Sequence, residues 1–167
     1  YVREQLRDSK VLSPQKREEI AIELLDSDAE IGIGWAWPEE IDRINIHHAS
    51  LLAMRRAVSS IVPLPDHILV DGRFVPNICI TSEAVVKGDS TVPEIMAASI
   101  IAKVARDRWM IRYSWIERSF GFEKHKGYPT EAHRKICSQC GLSAIHRRSF
   151  SISVSDLDHN HRDHRVS

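Results

Sequence analysis

Two aspartates in the sequence follow apolar runs that are typical of buried strands. Asp71 ends the run His67–Val70, and Asp89 lies just beyond the run Ile78–Val86. Open α/β sheets bind ligands at the ends of their strands, so two carboxylates at strand exits can face one cleft. Neighbouring carboxylates repel unless a cation lies between them, and hard oxygen ligands favour Mg²⁺ or Mn²⁺. We therefore predict that Asp71 and Asp89 are catalytic metal ligands, suited to phosphodiester cleavage.

Each aspartate also fits a simpler interpretation when it is considered alone. Asp71-Gly72 is a common turn sequence, and Lys87-Gly88-Asp89-Ser90 suits the entry to a helix. The metal-site prediction therefore depends on the two acids occurring together.

Two basic clusters in the second half of the chain could contact phosphates. Each cluster contains an aromatic residue that could meet a sugar or a base. Their members are Lys124, His125, Lys126 and Tyr128 in the first cluster, and His146, Arg147, Arg148 and Phe150 in the second. Solvated surface is the alternative interpretation, because it accounts for many Lys and Arg runs.

A third group of residues has the chemistry of zinc ligands. Three of its members lie on one face of a predicted helix, and the fourth follows the helix. They are His133, Cys137 and Cys140, with His146 beyond. The spacing of the last pair is not a standard zinc motif, and a half-buried helix face explains the same pattern. The three cysteines of the chain are odd in number and widely spread, which argues against a disulfide framework.

The elements that must position these residues alternate between helical and strand patterns. The pattern predicts an α/β layered domain over residues 1–150, followed by a polar, disordered tail over residues 151–167. Strands are predicted at 29–37, 67–70 and 78–86, helices at 13–25, 38–61, 93–120 and 130–140, and a loop at 121–129.

Composition limits the class of protein. The chain has 167 residues and a formal net charge of +0, with 23 basic and 23 acidic side chains. Nucleic-acid binding must therefore use a local basic patch. The sequence has no apolar run long enough to span a bilayer and no signal-peptide pattern, so we expect a cytoplasmic protein without membrane contact. We also expect a monomer.

Six sequence blocks resemble bacterial ribonuclease HII, and they occur in the order and at the spacing of that family. The resemblance covers roughly Leu6–Phe150. The blocks are DSKVLSPQKREEI, EEIDRINIHHASLLAMRRAV, ILVDG, VVKGDSTVPEIMAASIIAKVARDR, FEKHKGYPTEAH and IHRRSF.

The resemblance implies a fold, an activity and a set of site residues. The fold is ribonuclease H-like. The activity is cleavage of the RNA strand of RNA–DNA hybrids and nicking of DNA on the 5′ side of embedded ribonucleotides, with Mn²⁺ or Mg²⁺, in DNA replication and ribonucleotide excision repair. By resemblance Asp71 and Asp89 match the third and fourth of four metal-binding acids. Tyr128 matches the tyrosine at the RNA–DNA junction, and Ser9 and Lys10 lie near the substrate backbone.

The sequence departs from the family at one important block. The first two family acids lie in an Asp-Glu-x-Gly-Arg-Gly block on the first strand, and no part of this sequence matches it. Family spacing would put that block before Tyr1. We therefore expect an amino-terminally truncated copy that lacks the first strands of the fold and is inactive by itself.

Three alternatives remain at the level of sequence. The basic clusters could serve a nucleic-acid-binding module without catalysis. The histidines and cysteines could build a small zinc-stabilised interaction domain. Within the nuclease interpretation, the related ribonuclease HIII is the other candidate.

Overall fold

The computed structural model describes residues 2–6 and 10–150. They belong to two compact units, Tyr1–Arg108 and Trp109–Ser167. The predicted tail and Ser9 lie outside the described residues, and the prediction of one domain over residues 1–150 stays a prediction. The elements of the first unit are α1 (Val2–Gln5), α2 (Pro14–Leu25), α3 (Pro38–Ser59), β1 (His67–Asp71), β2 (Thr81–Val85), α4 (Gly88–Thr91) and α5 (Pro93–Tyr113), whose last turns enter the second unit. The second unit continues with a 3-10 turn (Arg118–Phe120), α6 (Phe122–His125) and α7 (Glu131–Cys140).

Strands β1 and β2 form a parallel pair. The register aligns His67 with Thr81 and Asp71 with Val85, and the Gly72 N–H donates to the Val85 carbonyl over 2.9 Å. The strands predicted at 67–70 and 78–86 are therefore confirmed, the second over a shorter range. Because the pair is parallel, both strands end at the same edge, where the two aspartates follow.

The strand predicted at 29–37 is wrong. These residues form no strand in the structure. Two glycines of this segment pack tightly against α3: a Cβ on Gly34 would lie 1.9 Å from the Ala53 carbonyl oxygen, and one on Gly32 would lie 2.2 Å from that of Ala57. The alternation of small and large residues in this segment therefore reflects close packing against α3 and does not indicate a strand.

Helix α3 consists of two segments joined at a kink. Asn45 lies at φ 64° and ψ 167°, outside helical values, and its Oδ1 accepts the His48 N–H over 3.1 Å. The two segments are tied by Arg56, which donates to both Glu40 carboxylate oxygens over 2.8 and 2.7 Å. This bidentate contact lowers the pKa of Glu40 to about 2.

The ends of the other helices follow local signals, with two corrections. Ser13 caps α2 by accepting the Lys16 N–H over 3.1 Å, as predicted. Helix α5 ends at Tyr113, so its predicted extension to residue 120 is wrong. The segment 121–129, predicted as a loop, contains the short helix α6. Thr130 caps α7 by accepting the His133 N–H over 3.2 Å, and Gly141 ends the helix at φ 79°.

Each unit has its own apolar core. The core of the first unit brings α2 against α5 through buried side chains that include Ile20 and Ile100. The core of the second unit contains Met110, Phe120, Phe122 and Cys137. Among the described residues, no helix is both long enough and apolar enough to cross a membrane.

Candidate metal and nucleic-acid site

The two predicted acids meet where β1 and β2 end. Asp71 is the last residue of β1, and Asp89 lies in α4, just after β2. The Asp89 backbone N–H donates to Asp71 Oδ1 over 3.4 Å. The sequence-based expectation that strand ends bring these two residues together therefore agrees with the geometry.

A tight turn makes this approach possible. Lys87 adopts a left-handed conformation at φ 59°, and Gly88 follows it in a buried position. A Cβ on Gly88 would lie 2.4 Å from Ile95 Cδ1, so a larger residue would require the Ile95 side chain or the turn to move. The Lys-Gly-Asp sequence thus brings Asp89 back toward the end of β1.

A lysine ammonium group lies at the same place. Lys10 Nζ is 2.9 Å from Asp89 Oδ2, and the Asp89 side chain is only 15% exposed. The hydrogen bond from Lys10 holds the pKa of Asp89 below its ordinary value. Ser90 Oγ donates to the other oxygen, Oδ1, over 3.3 Å. Asp89 is therefore a firmly held carboxylate anion.

The acid pair fits a hard divalent cation. Asp71 is exposed, so its carboxylate oxygens are open to a ligand from solvent. Asp89 already pairs with one positively charged group, the Lys10 ammonium, over 2.9 Å. Two carboxylates are the donor chemistry that Mg²⁺ and Mn²⁺ prefer.

The first predicted basic cluster lies in the second unit, around the end of α6. Lys124 and Tyr128 are exposed, the latter to 54%. Lys126 has a left-handed backbone at φ 51°, and its ammonium group donates to the Glu123 carbonyl. Lys124 and Tyr128 therefore present a charge and a ring to solvent.

The second predicted basic cluster follows α7. The Arg147 guanidinium carbon lies 3.8 Å from the centre of the Phe150 ring, a cation–π contact. Arg148 is exposed. This segment is connected to the first cluster through the buried His133 and the half-buried His125 and His146, which is a feature that the sequence analysis missed.

The predicted zinc ligands are only partly brought together. Donor atoms of His133, Cys137 and His146 lie within 4.8 Å of one another, whereas Cys140 is exposed and outside this group. His125 belongs to the cluster as well, because its ring stacks on that of His133 with 4.0 Å between centroids. The sequence analysis grouped His146 with His133 and Cys137, but it placed His125 in a separate basic cluster.

Comparison with solved structures defines the class of protein. The chain is similar to the crystal structure of the ribonuclease H2 from Pyrococcus horikoshii OT3, with a TM-score of 0.69 and 26% identity over 90% of this chain and 80% of that one. The fold is therefore the ribonuclease H-like α/β fold of type 2 ribonuclease H endonucleases, as predicted.

Comparison with known sequences defines the family. The sequence model described as Ribonuclease HII matches residues 3–153. A Ribonuclease HII from a Marinomonas species is 50% identical over 146 residues, which are 87% of this chain and 73% of that protein. One from Shewanella amazonensis is 46% identical over 145 residues, covering 87% of this chain and 70% of the relative. The chain belongs to the ribonuclease HII family, whose members are divalent-metal-dependent hydrolases that act on RNA–DNA hybrids.

Proposed function

We propose that this protein, when the family's Asp-Glu-x-Gly-Arg-Gly block precedes it, cleaves the RNA strand of RNA–DNA hybrids and nicks duplex DNA on the 5′ side of embedded ribonucleotides, using Mn²⁺ or Mg²⁺ held in part by Asp71 and Asp89. The observation that supports this proposal best is the hydrogen bond from the Asp89 backbone N–H to the Asp71 carboxylate, at the edge where β1 and β2 end, with the Lys10 ammonium group on the Asp89 carboxylate. A cytoplasmic location and a monomeric state stay predictions.

The acid pair supplies the reaction centre in this proposal. A divalent cation bound there would activate the attacking water and stabilise the departing 3′ oxygen. Asp71 would be a direct ligand because its carboxylate is exposed. Asp89 would hold or position a cation because it remains an anion at any pH near neutrality. Lys10 would then leave Asp89 and contact a substrate phosphate, and Ser9 would assist it by resemblance to the family.

The second unit supplies substrate affinity in this proposal. Lys124, Lys126, Arg147 and Arg148 would contact phosphates, since Lys and Arg make most such contacts in nucleic-acid complexes. The exposed Tyr128 ring would pack on a sugar or base at the RNA–DNA junction, with His125 in the same segment.

Asp71→Asn tests the metal-ligand assignment. In the chain as given, we expect Mn²⁺ affinity measured by electron paramagnetic resonance to fall at least about tenfold, because an amide replaces an anionic ligand. Cleavage is measured in a version preceded by the family's Asp-Glu-x-Gly-Arg-Gly block, since the sequence matches only two of the four family acids. There we expect a loss of more than about a hundredfold, with hybrid affinity kept.

Asp66→Asn is the matched control. Asp66 is exposed and precedes β1, so the same chemical change should leave both Mn²⁺ binding and cleavage as they were. Normal turnover by Asp71→Asn would remove the metal-ligand assignment. Hybrid binding that needs no metal, without cleavage in the version that carries the block, would favour a binding module instead.

A further inference from the structure

Three histidine rings lie together inside the second unit; two of them are stacked, and the ring of His146 is tilted by 42° relative to that of His133. His133 is 4% exposed and lies between the other two rings. His125 stacks on it at an interplanar angle of 18°, and His146 Nε2 is 2.9 Å from its Nε2. The ring of Phe122, which is 1% exposed, lies 5.7 Å from each of the three.

The backbone partners of these rings fix which nitrogen carries each proton. A carbonyl oxygen can only accept, so His125 Nε2 donates to the Phe120 carbonyl over 2.8 Å. Likewise, His133 Nδ1 donates to the Tyr128 carbonyl over 2.9 Å. A backbone N–H can only donate, so His125 Nδ1 accepts from Gly127 over 3.1 Å.

The remaining three nitrogens are fixed in the same way. His146 Nδ1 accepts from the Ser143 N–H over 2.9 Å, so the proton of the neutral ring is on its Nε2. That N–H donates to His133 Nε2, which is free to accept because the His133 proton is on Nδ1. All six ring nitrogens therefore have one complementary partner each when all three rings are neutral.

This proton arrangement argues against a zinc site at the same residues. Cys137 Sγ lies 3.4 Å from His146 Nε2, which is a distance suited to shared metal ligation. A metal would need the lone pair of His146 Nε2, and the proton would move to Nδ1, where it would face the Ser143 N–H. The group is therefore saturated by hydrogen bonds within the protein.

These three rings connect the segments that carry the two basic clusters. Gly127 and Tyr128, in the first cluster, are bonded to His125 and His133. Ser143 precedes the second cluster and is bonded to His146, which directly precedes Arg147 and Arg148.

We propose that His125, His133 and His146 form a neutral histidine clamp that positions the two basic clusters for hybrid binding, and that protonation of the clamp releases them. The proposal rests on the proposed function for its substrate. A proton added to any acceptor nitrogen would put two N–H groups face to face, so uptake of a proton breaks a link between the clusters.

The surroundings of His133 and His146 favour the neutral form of these two rings. Burial lowers the pKa of His133 and, together with His133, that of His146. The Glu117 carboxylate acts in the opposite direction on His146. The other titratable neighbours are Cys137, whose thiol pKa is raised by burial, and Tyr113, which donates to Glu117 over 2.6 Å. Because the folded pKa values of His133 and His146 lie below the ordinary 6.5, the contribution of these two rings to stability is complete above that pH and is lost as pH falls below it.

Nitrogen-15 NMR of the histidine rings in the full chain tests the geometry without reference to function. We expect the Nε2–H tautomer for His125 and His146 and the Nδ1–H tautomer for His133 at about pH 8. Any other set of tautomers would overturn the clamp. Addition of Co²⁺ or Zn²⁺ gives a second check, because stoichiometric binding with a Cys137 sulfur-to-cobalt charge-transfer band would also overturn it.

Hybrid binding from about pH 8 to about pH 5.5 tests the role of the clamp. We expect the dissociation constant of the native chain to rise several-fold over this pH range. For each proton that the clamp takes up, the rise is at most about tenfold per pH unit below the ordinary histidine pKa. A dissociation constant that rises at low pH is diagnostic of the clamp, because exposed histidines that gain charge would instead strengthen binding to a polyanion. Thermal unfolding at each pH keeps the comparison within the folded range.

Two variants and a control separate positioning from folding. His146→Gln retains a hydrogen-bonding group toward His133 that can donate or accept and does not titrate, so the ratio of its hybrid dissociation constants at about pH 5.5 and about pH 8 should be smaller than that of the native chain. His146→Ala should bind weakly at every pH. His48→Gln, an exposed histidine outside the clamp, should keep the native profile. Acid-strengthened binding by the native chain, or an unchanged pH profile in His146→Gln, would overturn the clamp while leaving the Asp71 assignment untouched. Absence of hybrid binding with the expected tautomers would instead remove the proposed function.

Discussion

Lys10 and Asp89 form the most informative contact at the scale of single residues. The Lys10 ammonium group lies 2.9 Å from the Asp89 carboxylate, and the Lys10 side chain is 77% exposed. An exposed ion pair is weak and easily exchanged. Lys10 can therefore hold Asp89 in place without a metal and give way when a divalent cation binds.

The substitution Lys10→Met tests this exchange. Loss of the hydrogen bond should raise the pKa of Asp89 toward its ordinary value, which carbon-13 NMR of the carboxyl group can follow. Mn²⁺ affinity should increase, by less than about fivefold, because a competing cation is removed. Lys16→Met is the control, since Lys16 pairs with Glu19 on α2 and should change neither quantity. An Asp89 pKa that does not move would show that Lys10 leaves this carboxylate unaffected in solution.

The acid pair could be predicted from sequence, and the histidine clamp could not. Asp71 and Asp89 each follow an apolar run, and two parallel strands necessarily end at one edge. The clamp depends on how α6, α7 and the segment after α7 fold back on Phe122. No periodicity records that packing, so His133 and His146 suggested zinc while His125 suggested phosphate contact.

At the scale of elements, close packing explains where the sequence pattern misled. The segment 29–37 alternates as a strand does, yet its glycines let it lie directly on α3. Ser13 and Gly141 mark a helix start and a helix end both in the sequence and in the structure, because capping depends only on local hydrogen bonds and backbone angles. Strand pairing depends on a distant partner, which a local pattern cannot supply.

Gly34→Ala tests this packing. The added Cβ would lie 1.9 Å from the Ala53 carbonyl oxygen and 2.6 Å from the Ala57 nitrogen, so backbone must move. We expect the free energy of unfolding to fall by about 1–3 kcal/mol, measured by urea denaturation. Ala29→Val adds bulk at an exposed position of the same segment and should change stability by less than about 0.5 kcal/mol. A Gly34→Ala chain as stable as the native one would mean that the segment does not rest on α3 in this way.

At the scale of the whole molecule, the charge balance makes binding depend on local clusters. The 23 basic and 23 acidic side chains give a formal net charge of +0, so the overall field provides no attraction for a polyanion. Hybrid affinity must come from the two basic clusters. The three rings of the histidine clamp hold these clusters and stay uncharged. Neutral histidines also explain how basic segments can be connected through a buried core without the cost of buried charge.

Salt dependence of hybrid binding measures this local contribution. If Lys124, Lys126, Arg147 and Arg148 contact phosphates, the logarithm of the binding constant should fall with the logarithm of salt concentration at a slope of about −3 to −4. Lys124→Met should reduce the magnitude of that slope by about 1, because one contact with its released counterion is lost. Lys135→Met is the matched control, since Lys135 is an exposed lysine on α7 outside both clusters. An equal change in both variants would mean that affinity follows total charge, and the assignment of phosphate contacts to the clusters would then be wrong.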